Sequence, residues 1–192
     1  MKKILLVGAG GHAESCIDVL EKEKKFKIIG LVDNKKKVGS KILGYRVVGQ
    51  DKDLKILKKK ANYALVTIGQ IGVTSIRKKI FLKLKKLGFK IPTIISSNSY
   101  VSKYSNIGEG TIIHHGAVVN TSANIGTNCI INSKALIEHN SIIGDHTHIA
   151  TAAIINGNVE IGEECFIGSS STIRNNIKIK KQTFVKMGAK VS

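Results

Sequence analysis

One short segment of this chain combines histidine and acidic side chains at a spacing that suits proton-transfer chemistry. Residues 137–148 read Ile-Glu-His-Asn-Ser-Ile-Ile-Gly-Asp-His-Thr-His. An unperturbed imidazole has a pKa of about 6.5, so His139 can take up a proton near neutral pH and act as a general base. Glu138 stands directly before it, and His148 follows later in the same segment. The segment is therefore a candidate site of proton transfer with His139 as the base and Glu138 beside it, and an idle surface histidine is the alternative.

A second group of candidate residues lies near the amino terminus. The apolar run Lys3–Val7 enters a turn that reads Gly-Ala-Gly-Gly-His, and a stretch with helical spacing follows. Strand, glycine turn and helix in this order predict that main-chain amides at the helix start bind a phosphate. The next apolar run ends in an aspartate that could accept a hydrogen bond from a ribose or sugar hydroxyl. The residues that this pattern assigns to a phosphate or sugar ligand are Gly8, Gly10, Gly11 and Asp33.

The glycine turn leaves the size of its ligand open. Gly8, Gly10 and Ala13 also fit a G-x-G-x-x-A dinucleotide fingerprint, which on its own would suggest NAD. The α/β pattern continues only to about residue 92, however, and that is the length of one mononucleotide half of the dinucleotide fold. A single nucleotide is therefore the better prediction, and a turn needed only for tight packing of strand against helix is the alternative.

A period of six residues predicts the elements that position His139. From Ile95 to Val191, Ile or Val stands at every sixth residue, and a side chain of small or modest size follows four places later. A helix would repeat apolar residues every three to four positions and a half-buried strand every two, so this period fits neither. Hexapeptide repeats are typical of β-helices, in which three hexads close one triangular coil. His139 stands two places after an interior isoleucine and is therefore predicted to project from the wall.

The two patterns divide the chain into two predicted domains. Residues 1–92 are predicted to form a Rossmann-like α/β half-domain that carries the glycine turn, and residues 93–192 are predicted to form a β-helix that carries His139. Pro92, the single proline of the chain, stands where the period of six begins. Helices are expected near residues 12–22, 52–60 and 75–87, and strands at 3–7, 28–32, 45–48 and 63–68.

Composition narrows the class of protein. The net charge is +18, and residues 1–92 carry 23 Lys and Arg against 7 Asp and Glu, whereas residues 93–192 carry 8 against 6. Lysine-rich helix faces in water explain most of this excess, with attraction of a phosphorylated ligand as the second contribution. Aromatic residues make up only 5%, and no nucleic-acid motif is present, so we expect no nucleic-acid partner. We expect no membrane segment, and three separated cysteines favour reduced thiols and a cytoplasmic location.

These features together resemble a known family of enzymes. The Gly-Ala-Gly-Gly-His turn, Asp33, the segment Ile-Asn-Ser-Lys-Ala-Leu-Ile-Glu-His-Asn at residues 131–140 and His148 resemble the sugar O- and N-acetyltransferases of the sialic-acid acetyltransferase and bacillosamine-pathway type, over essentially the whole chain. The resemblance implies a left-handed β-helix, acetyl-CoA as the acetyl donor and no metal. It also implies a role for each matching residue: His139 is the base, Asn132 lies at the substrate, His148 and Gly157 lie at the cofactor, and His12 holds the nucleotide-sugar.

Two points of the resemblance bear on the arrangement of the site. Relatives commonly follow the base with an acid, whereas this chain has Asn140, so Glu138 or a neighbouring subunit would have to supply any carboxylate. His139 and His148 are half a coil apart and should lie on different sides of one prism. They can share a site only if chains pack side by side, which predicts a homotrimer with active sites at its subunit interfaces, as the resemblance also implies.

We therefore expect an acetyl-CoA-dependent N-acetyltransferase that acts on a nucleotide-linked amino-sugar for bacterial surface glycan synthesis. O-acetylation of sialic acid or a related sugar is the alternative within the enzyme class. A non-catalytic nucleotide-sugar-binding protein is an alternative from another class. A metal site at His139, His146 and His148 is a weaker alternative, for which His114 and His115 are predicted to lie at solvated corners.

Overall fold

The computed structural model describes residues 1–72 and 75–192, and of Ser75 only the backbone. The chain forms two compact units. The first comprises residues 1–69 and 75–92, and the second comprises residues 70–74 and 93–192. Residues 70–74 lie between a strand and a helix of the first unit in the sequence but group with the second unit. A single boundary near residue 92 therefore does not describe the whole division. None of the helices in the described ranges is long and apolar enough to span a bilayer.

The first unit is a five-stranded sheet with helices. Its elements are β1 (Lys2–Val7), α1 (Gly11–Glu23), β2 (Phe26–Val32), β3 (Lys41–Ile42), β4 (Tyr45–Gly49), a 3₁₀ turn (Asp51–Asp53), α2 (Leu54–Leu57), β5 (Tyr63–Val66) and α3 (Ser75–Lys86). The strand order is β3-β4-β2-β1-β5, and all neighbours are parallel except β3 and β4. Parallel pairing brings the carboxyl ends of β1, β2 and β5 to one edge of the sheet, where ligands of such folds bind.

A buried arginine closes this edge from within the first unit. Arg77 of α3 is fully buried, and its Nη1 donates hydrogen bonds to the carbonyl oxygens of Val66 at 2.8 Å and Ile68 at 2.9 Å. The main-chain amide of Thr67 bonds to the carbonyl of Val7, which joins the ends of β5 and β1. One side chain of α3 therefore satisfies main-chain carbonyls at the end of β5 and just beyond it.

The second unit is a left-handed parallel β-helix. Its strands have two residues each: β6 (Ile94–Ile95), β7 (Tyr100–Val101), β8 (Asn106–Ile107), β9 (Ile112–Ile113), β10 (Val118–Val119), β11 (Asn124–Ile125), β12 (Ile130–Ile131), β13 (Leu136–Ile137), β14 (Ile142–Ile143), β15 (His148–Ile149), β16 (Ile154–Ile155), β17 (Glu160–Ile161), β18 (Phe166–Ile167), β19 (Thr172–Ile173), β20 (Lys178–Ile179), β21 (Phe184–Val185) and β22 (Lys190–Val191). Every third strand pairs in parallel, which gives three flat sheets. Each strand ends in one of the predicted Ile or Val residues, so the predicted fold class is confirmed.

The corners of the β-helix share one main-chain conformation. From Gly110 to Gly188 every sixth residue has a positive φ, including Asn140 at 58° and Asn158 at 57°. The left-handed conformation is cheap for Gly and tolerable for Asn, and it costs other residues about 1–2 kcal/mol. The interior is filled by the Ile column and by small residues such as Ala135, which is fully buried. The fold therefore repeats its packing with every hexad and leaves the outward positions free to differ.

Two local expectations are wrong. The helix predicted near residues 52–60 is a 3₁₀ turn followed by the four residues of α2. Beyond α2 the chain forms turns, in which the amide of Lys59 bonds to the carbonyl of Ile56 and the amide of Lys60 to that of Leu57. His114 was expected to lie in solvent but is only 1% exposed, whereas His115 is half-buried and its Nδ1 lies 2.6 Å from Oγ of Ser96.

Candidate functional site

The glycine turn of the first unit lies at the shared carboxyl edge of β1, β2 and β5. Its three glycines face different surroundings. Gly8 has φ 117°, and a Cβ there would lie 2.6 Å from Cγ1 of Ile68, so this glycine is required by packing. A Cβ on Gly10 or Gly11 would meet nothing within 4 Å. Open space therefore lies in front of the second and third glycines, at the start of α1.

The start of α1 carries main-chain amides that no side chain caps. Gly10 is the N-cap residue and makes no side-chain capping bond. The first amides of a helix have no partner inside the helix and attract anions. His12 stands in this first turn, and its Nε2 lies 3.5 Å from Sγ of Cys16 one turn later. Burial raises the pKa of the Cys16 thiol to about 12, although the positive charge of Arg77 opposes the shift, so Cys16 remains a thiol.

Asp33 is tied to this turn by its carboxylate. Oδ2 accepts from the amide of Ala9 at 2.9 Å, and Oδ1 accepts from the amides of Lys35 at 2.7 Å and Lys36 at 2.9 Å. Partial burial raises the pKa of Asp33, but the three amides and the charge of Lys36 outweigh it and hold the pKa below the ordinary value of 3.8. Oδ2 accepts a single bond here, so the carboxylate keeps capacity for one more donor.

His139 lies on the outside of the β-helix, at the corner after β13, and its side chain is exposed. The imidazole ring extends across the next coil, where Gly157 occupies the same position in its hexad. A Cβ on Gly157 would lie 2.7 Å from both Cε1 and Nε2 of His139. The absence of a side chain at residue 157 therefore makes room for the ring and brings Nε2 close to the main chain of that residue.

Glu138 does not pair with the imidazole of its neighbour. Its Oε2 accepts a hydrogen bond from Nδ2 of Asn120 at 2.8 Å, and it lies 3.4 Å from the main-chain nitrogen of His139. The ring nitrogen Nδ1 of His139 instead lies 3.2 Å from Nδ2 of Asn140. Sequence reasoning did not identify Asn120, although the 18-residue coil would have placed it directly beside Glu138.

His148 and Asn132 form a separate group on another sheet. His148 is 8% exposed, and its Nδ1 donates to the carbonyl oxygen of Gln70 at 2.6 Å. Its Nε2 lies 3.4 Å from Nδ2 of Asn132, and Phe166 packs edge-on against the ring with centroids 5.2 Å apart. The Gln70 carbonyl fixes the proton of the neutral ring on Nδ1. No sequence signal pointed to Gln70, because 78 residues separate the two partners.

Within one chain, the structure therefore brings His139 together with Gly157, and His148 together with Asn132. The two groups belong to different faces, since His139 follows β13 and His148 lies in β15, and these strands are in different sheets.

Two family models match the chain. Residues 3–84 match the model described as PglD N-terminal domain, and residues 140–175 match the model described as bacterial transferase hexapeptide (six repeats). No curated protein matches the chain.

Several solved structures are similar over the full chain. PerB from Caulobacter crescentus, in complex with CoA and GDP-perosamine, is 28% identical over 100% of this chain and 89% of its own, with a TM-score of 0.92. The acetyltransferase domain of PglB from Neisseria gonorrhoeae FA1090, in complex with acetyl coenzyme A, is 26% identical over 99% of this chain and 92% of its own, with a TM-score of 0.89. WeeI from Acinetobacter baumannii AYE, at 23% identity over 100% of this chain and 92% of its own, shares the fold, with a TM-score of 0.75.

The PglD-type amino-terminal domain, the hexapeptide repeats that follow it and the likeness of the whole chain to two solved acetyltransferases lead to one assignment. This chain is therefore a hexapeptide-repeat acetyltransferase with a PglD-type amino-terminal domain, and it is similar to the perosamine and bacillosamine-pathway N-acetyltransferases.

Proposed function

We propose that this enzyme transfers the acetyl group of acetyl-CoA to the amine of a nucleotide-linked amino-sugar, with His139 as the general base. The observation that carries the proposal is the placement of the exposed His139 ring across Gly157, which brings Nε2 close to the main chain of that residue, whose amide we pair with the ring as the oxyanion donor. Acyl transfer needs such a pair, because one group must remove a proton while another stabilises the oxyanion.

The reaction follows from these two groups. The sugar nitrogen attacks the thioester carbon, and Nε2 of His139 takes the proton from that nitrogen as the new C–N bond forms. The main-chain amide of Gly157 donates to the carbonyl oxygen while that oxygen carries negative charge. The C–S bond then breaks, and the CoA thiolate leaves and recovers the proton from Nε2. A positioned base of this kind contributes about 10²- to 10⁴-fold in rate.

The first unit supplies the features that a nucleotide-sugar requires. The uncapped amides at the start of α1 face open space and suit a phosphate. His12 stands among them, and Asp33 has capacity to accept from a sugar or ribose hydroxyl. PerB, which is similar along the whole chain, is described in complex with GDP-perosamine and CoA. These observations support a nucleotide-linked amino-sugar over a free sugar as the substrate and acetyl-CoA, held by His148 and Gly157, as the donor.

We propose that the active form is a homotrimer with its sites between subunits. His139 and His148 of one chain project from different sheets, so a second copy must supply one of them if both serve the same site. The sheet that leads to His139 presents an outward apolar row, Tyr100, Val118, Leu136 and Ile154, of which Tyr100 is 58% exposed. An apolar row of this length on a flat sheet suits contact with another chain. Sedimentation of a fully active monomer would contradict this arrangement.

The reaction is tested by CoA-thiol release with acetyl-CoA and a panel of nucleotide-linked amino-sugars. We expect turnover with at least one of them, and His139→Ala should lower kcat at least 100-fold while binding of the nucleotide-sugar is retained. Asn175→Ala is the matched control, because Asn175 is exposed at the same hexad position two coils away, and its activity should not change.

Two other functions give different results in the same assay. A sialic-acid O-acetyltransferase would release thiol with free sialic acid and not with nucleotide-linked amines. A nucleotide-sugar-binding protein without catalysis would bind the nucleotide-sugar and release no thiol with any acceptor.

The described cysteines are free and buried, which supports a reducing compartment such as the cytoplasm as the place of the reaction.

A further inference from the structure

The nitrogen of His139 that faces away from the substrate meets an amide and not a carboxylate. Nδ1 lies 3.2 Å from Nδ2 of Asn140, while Glu138 directs its carboxylate to Asn120 and to a main-chain amide. A general base usually needs a third group on its distal nitrogen, because that group decides which nitrogen carries the proton of the neutral ring. The partner of this nitrogen is therefore central to the proposed chemistry.

A side-chain amide can serve the distal nitrogen in two ways. With Nδ2 toward Nδ1, as observed, Asn140 donates a hydrogen bond, and the proton of the neutral imidazole then lies on Nε2. Nε2 cannot accept a proton in this tautomer. A half-turn of the amide brings Oδ1 to the same place, where it accepts from Nδ1–H and frees the lone pair of Nε2. Only this second arrangement accommodates the imidazolium that forms when the base takes its proton.

We propose that Asn140 is the positioning residue of His139 and sets its tautomer by the orientation of the side-chain amide. The proposal rests on the proposed role of His139 as the base. The observed arrangement is the resting one, and the amide turns to present Oδ1 when the ring accepts the substrate proton. Because an amide carries no charge, the protonated ring gains a hydrogen bond from Asn140 but no ion pair. An aspartate at the same place would offer acceptors only and would add a negative charge.

The backbone conformation at residue 140 allows substitutions that change the side chain without straining the main chain. Asn140 has φ 58°, a conformation that Gly and Asp also adopt at little cost. Asn140→Gly therefore removes the side chain without straining the corner, and Asn140→Asp changes only its chemistry. Asn176, two coils later, has φ 63° and is exposed. Asn176→Gly and Asn176→Asp are thus matched controls for the loss of the side chain and for the added charge.

The first measurement is independent of activity. Two-bond ¹H–¹⁵N correlation spectra of the histidine rings, with the His139 signals assigned by their loss in His139→Gln, distinguish the two neutral tautomers. We expect the Nε2–H form in the wild-type protein and the Nδ1–H form in Asn140→Asp. Asn176→Asp should leave the wild-type form unchanged. The same tautomer in the wild-type protein, Asn140→Gly and Asn140→Asp would overturn the proposal.

The second measurement is the pH dependence of turnover. Of the groups that contact His139 within the described part of the chain, Glu138 is titratable, and Asn140, Gly157 and Asn158 are not. Asn140→Asp places a negative charge beside the ring, which favours the protonated form. Because the base must be unprotonated, the acidic limb of kcat/KM should move upward by about one pH unit.

Asn140→Gly should lower kcat about 10- to 100-fold with the KM values of both substrates unchanged, since the ring loses its orientation but no substrate contact is removed. An equal loss in Asn176→Gly would show that the corner acts only through structure and would overturn the proposal. The failure of the proposed function looks different: His139→Ala would then keep full activity, whatever the Asn140 variants do. If His139→Ala is inactive and Asn140→Gly is as active as the wild type, the proposed function stands and the role of Asn140 does not.

Discussion

The amino-terminal unit and the β-helix place their candidate functional groups by different means. In the first unit, three segments far apart in the sequence meet at one sheet edge, and single polar side chains such as Arg77 and Asp33 hold that edge together. In the β-helix, every coil repeats the same interior and the same corner, and His139 differs from its counterparts in other coils only by its side chain. A coil therefore tolerates new chemistry on its wall, whereas the edge of the first unit depends on a few specific contacts.

The largest expected effect tests whether the repeated interior carries the β-helix. Ile137 is fully buried beneath the corner that bears His139. Ile137→Ala removes its packing and leaves a cavity, so the free energy of unfolding from urea titration should fall by about 3–4 kcal/mol. Ile142→Ala is the control, because Ile142 points outward and is 47% exposed; its effect should stay within about 0.5 kcal/mol. Equal losses in the two variants would contradict the repeated-interior account.

The next effect tests how strongly the first unit depends on one side chain. Arg77→Met keeps the length of the side chain but removes the donors to the carbonyls of Val66 and Ile68. We expect a loss of about 2–3 kcal/mol, as for buried acceptors left without a donor. Faster hydrogen exchange should then appear at the amides of β1 and β5 and not in the β-helix.

Lys79→Met on the exposed side of the same helix is the control for Arg77 and should have little effect. Arg77→Lys should not restore the loss, because an ammonium group cannot present two fixed donors as a guanidinium does. If Arg77→Lys were as stable as the wild type, a single cation and not the paired geometry would be what this edge requires.

A smaller effect is expected at Asp33, and it depends on pH. Asp33→Ala removes a carboxylate that caps three amides, at a cost of about 1 kcal/mol near neutral pH, as for other side-chain caps. Because the pKa of Asp33 is lowered in the folded protein, the unfolded chain binds the proton more readily. The contribution is therefore complete above the ordinary carboxyl pKa and is lost as pH falls through the lowered value.

Urea titrations of the wild type and Asp33→Ala at pH 6 and over a series below pH 4 measure this difference. The two curves should converge at the acid end, whereas Glu163→Ala, at an exposed position of the β-helix, should run parallel to the wild type. A difference between Asp33→Ala and the wild type that stays constant to the lowest pH would show that the carboxylate does not act through its charge.

The smallest effect concerns the corners. Ala152 has φ 55°, which an alanine adopts only at a cost. Ala152→Gly should raise the free energy of unfolding by about 0.5–1 kcal/mol, because relief of this strain exceeds the added flexibility of glycine in the unfolded chain. Asn158→Gly should change stability by less, since asparagine already tolerates the conformation. Destabilisation by Ala152→Gly would mean that the corners do not carry this strain.

The repeat explains why so much of the β-helix could be predicted. A period of six residues fits a β-helix and neither an α-helix nor a single half-buried strand. The residues that it assigns to the interior, from Ile113 to Ile173, are buried. The same register places Cys129 and Cys165 inside as free thiols, as expected. The first unit followed from local signals too, but the helix near residues 52–60 is shorter than its pattern indicated, because the lysine-rich stretch after Leu57 forms turns that its periodicity does not distinguish from a helix.

The surroundings of the candidate site were less accessible to sequence reasoning. The carbonyl of Gln70 that bonds His148 belongs to a segment that no pattern links to the β-helix, and a main-chain acceptor carries no side-chain signature. Asn140 and His139 are adjacent in the sequence, but the family resemblance implied an acidic partner for the base. The prediction therefore named Glu138 and not Asn140. Hydrogen-bond choices among neighbouring polar groups depend on side-chain directions, and a one-dimensional pattern does not contain them.

The left-handed corner has a consequence for how new activities arise on this scaffold. A histidine at the third place of a hexad is followed by the corner residue, for which Gly, Asn and Asp are the least costly choices. Two of these three residue types can hydrogen-bond an imidazole. A histidine at the third place therefore has a side-chain partner beside it wherever the corner residue is asparagine, as at Asn128, Asn158 and Asn176. His139 with Asn140 is such a pair, and its ring also lies against the main chain of Gly157.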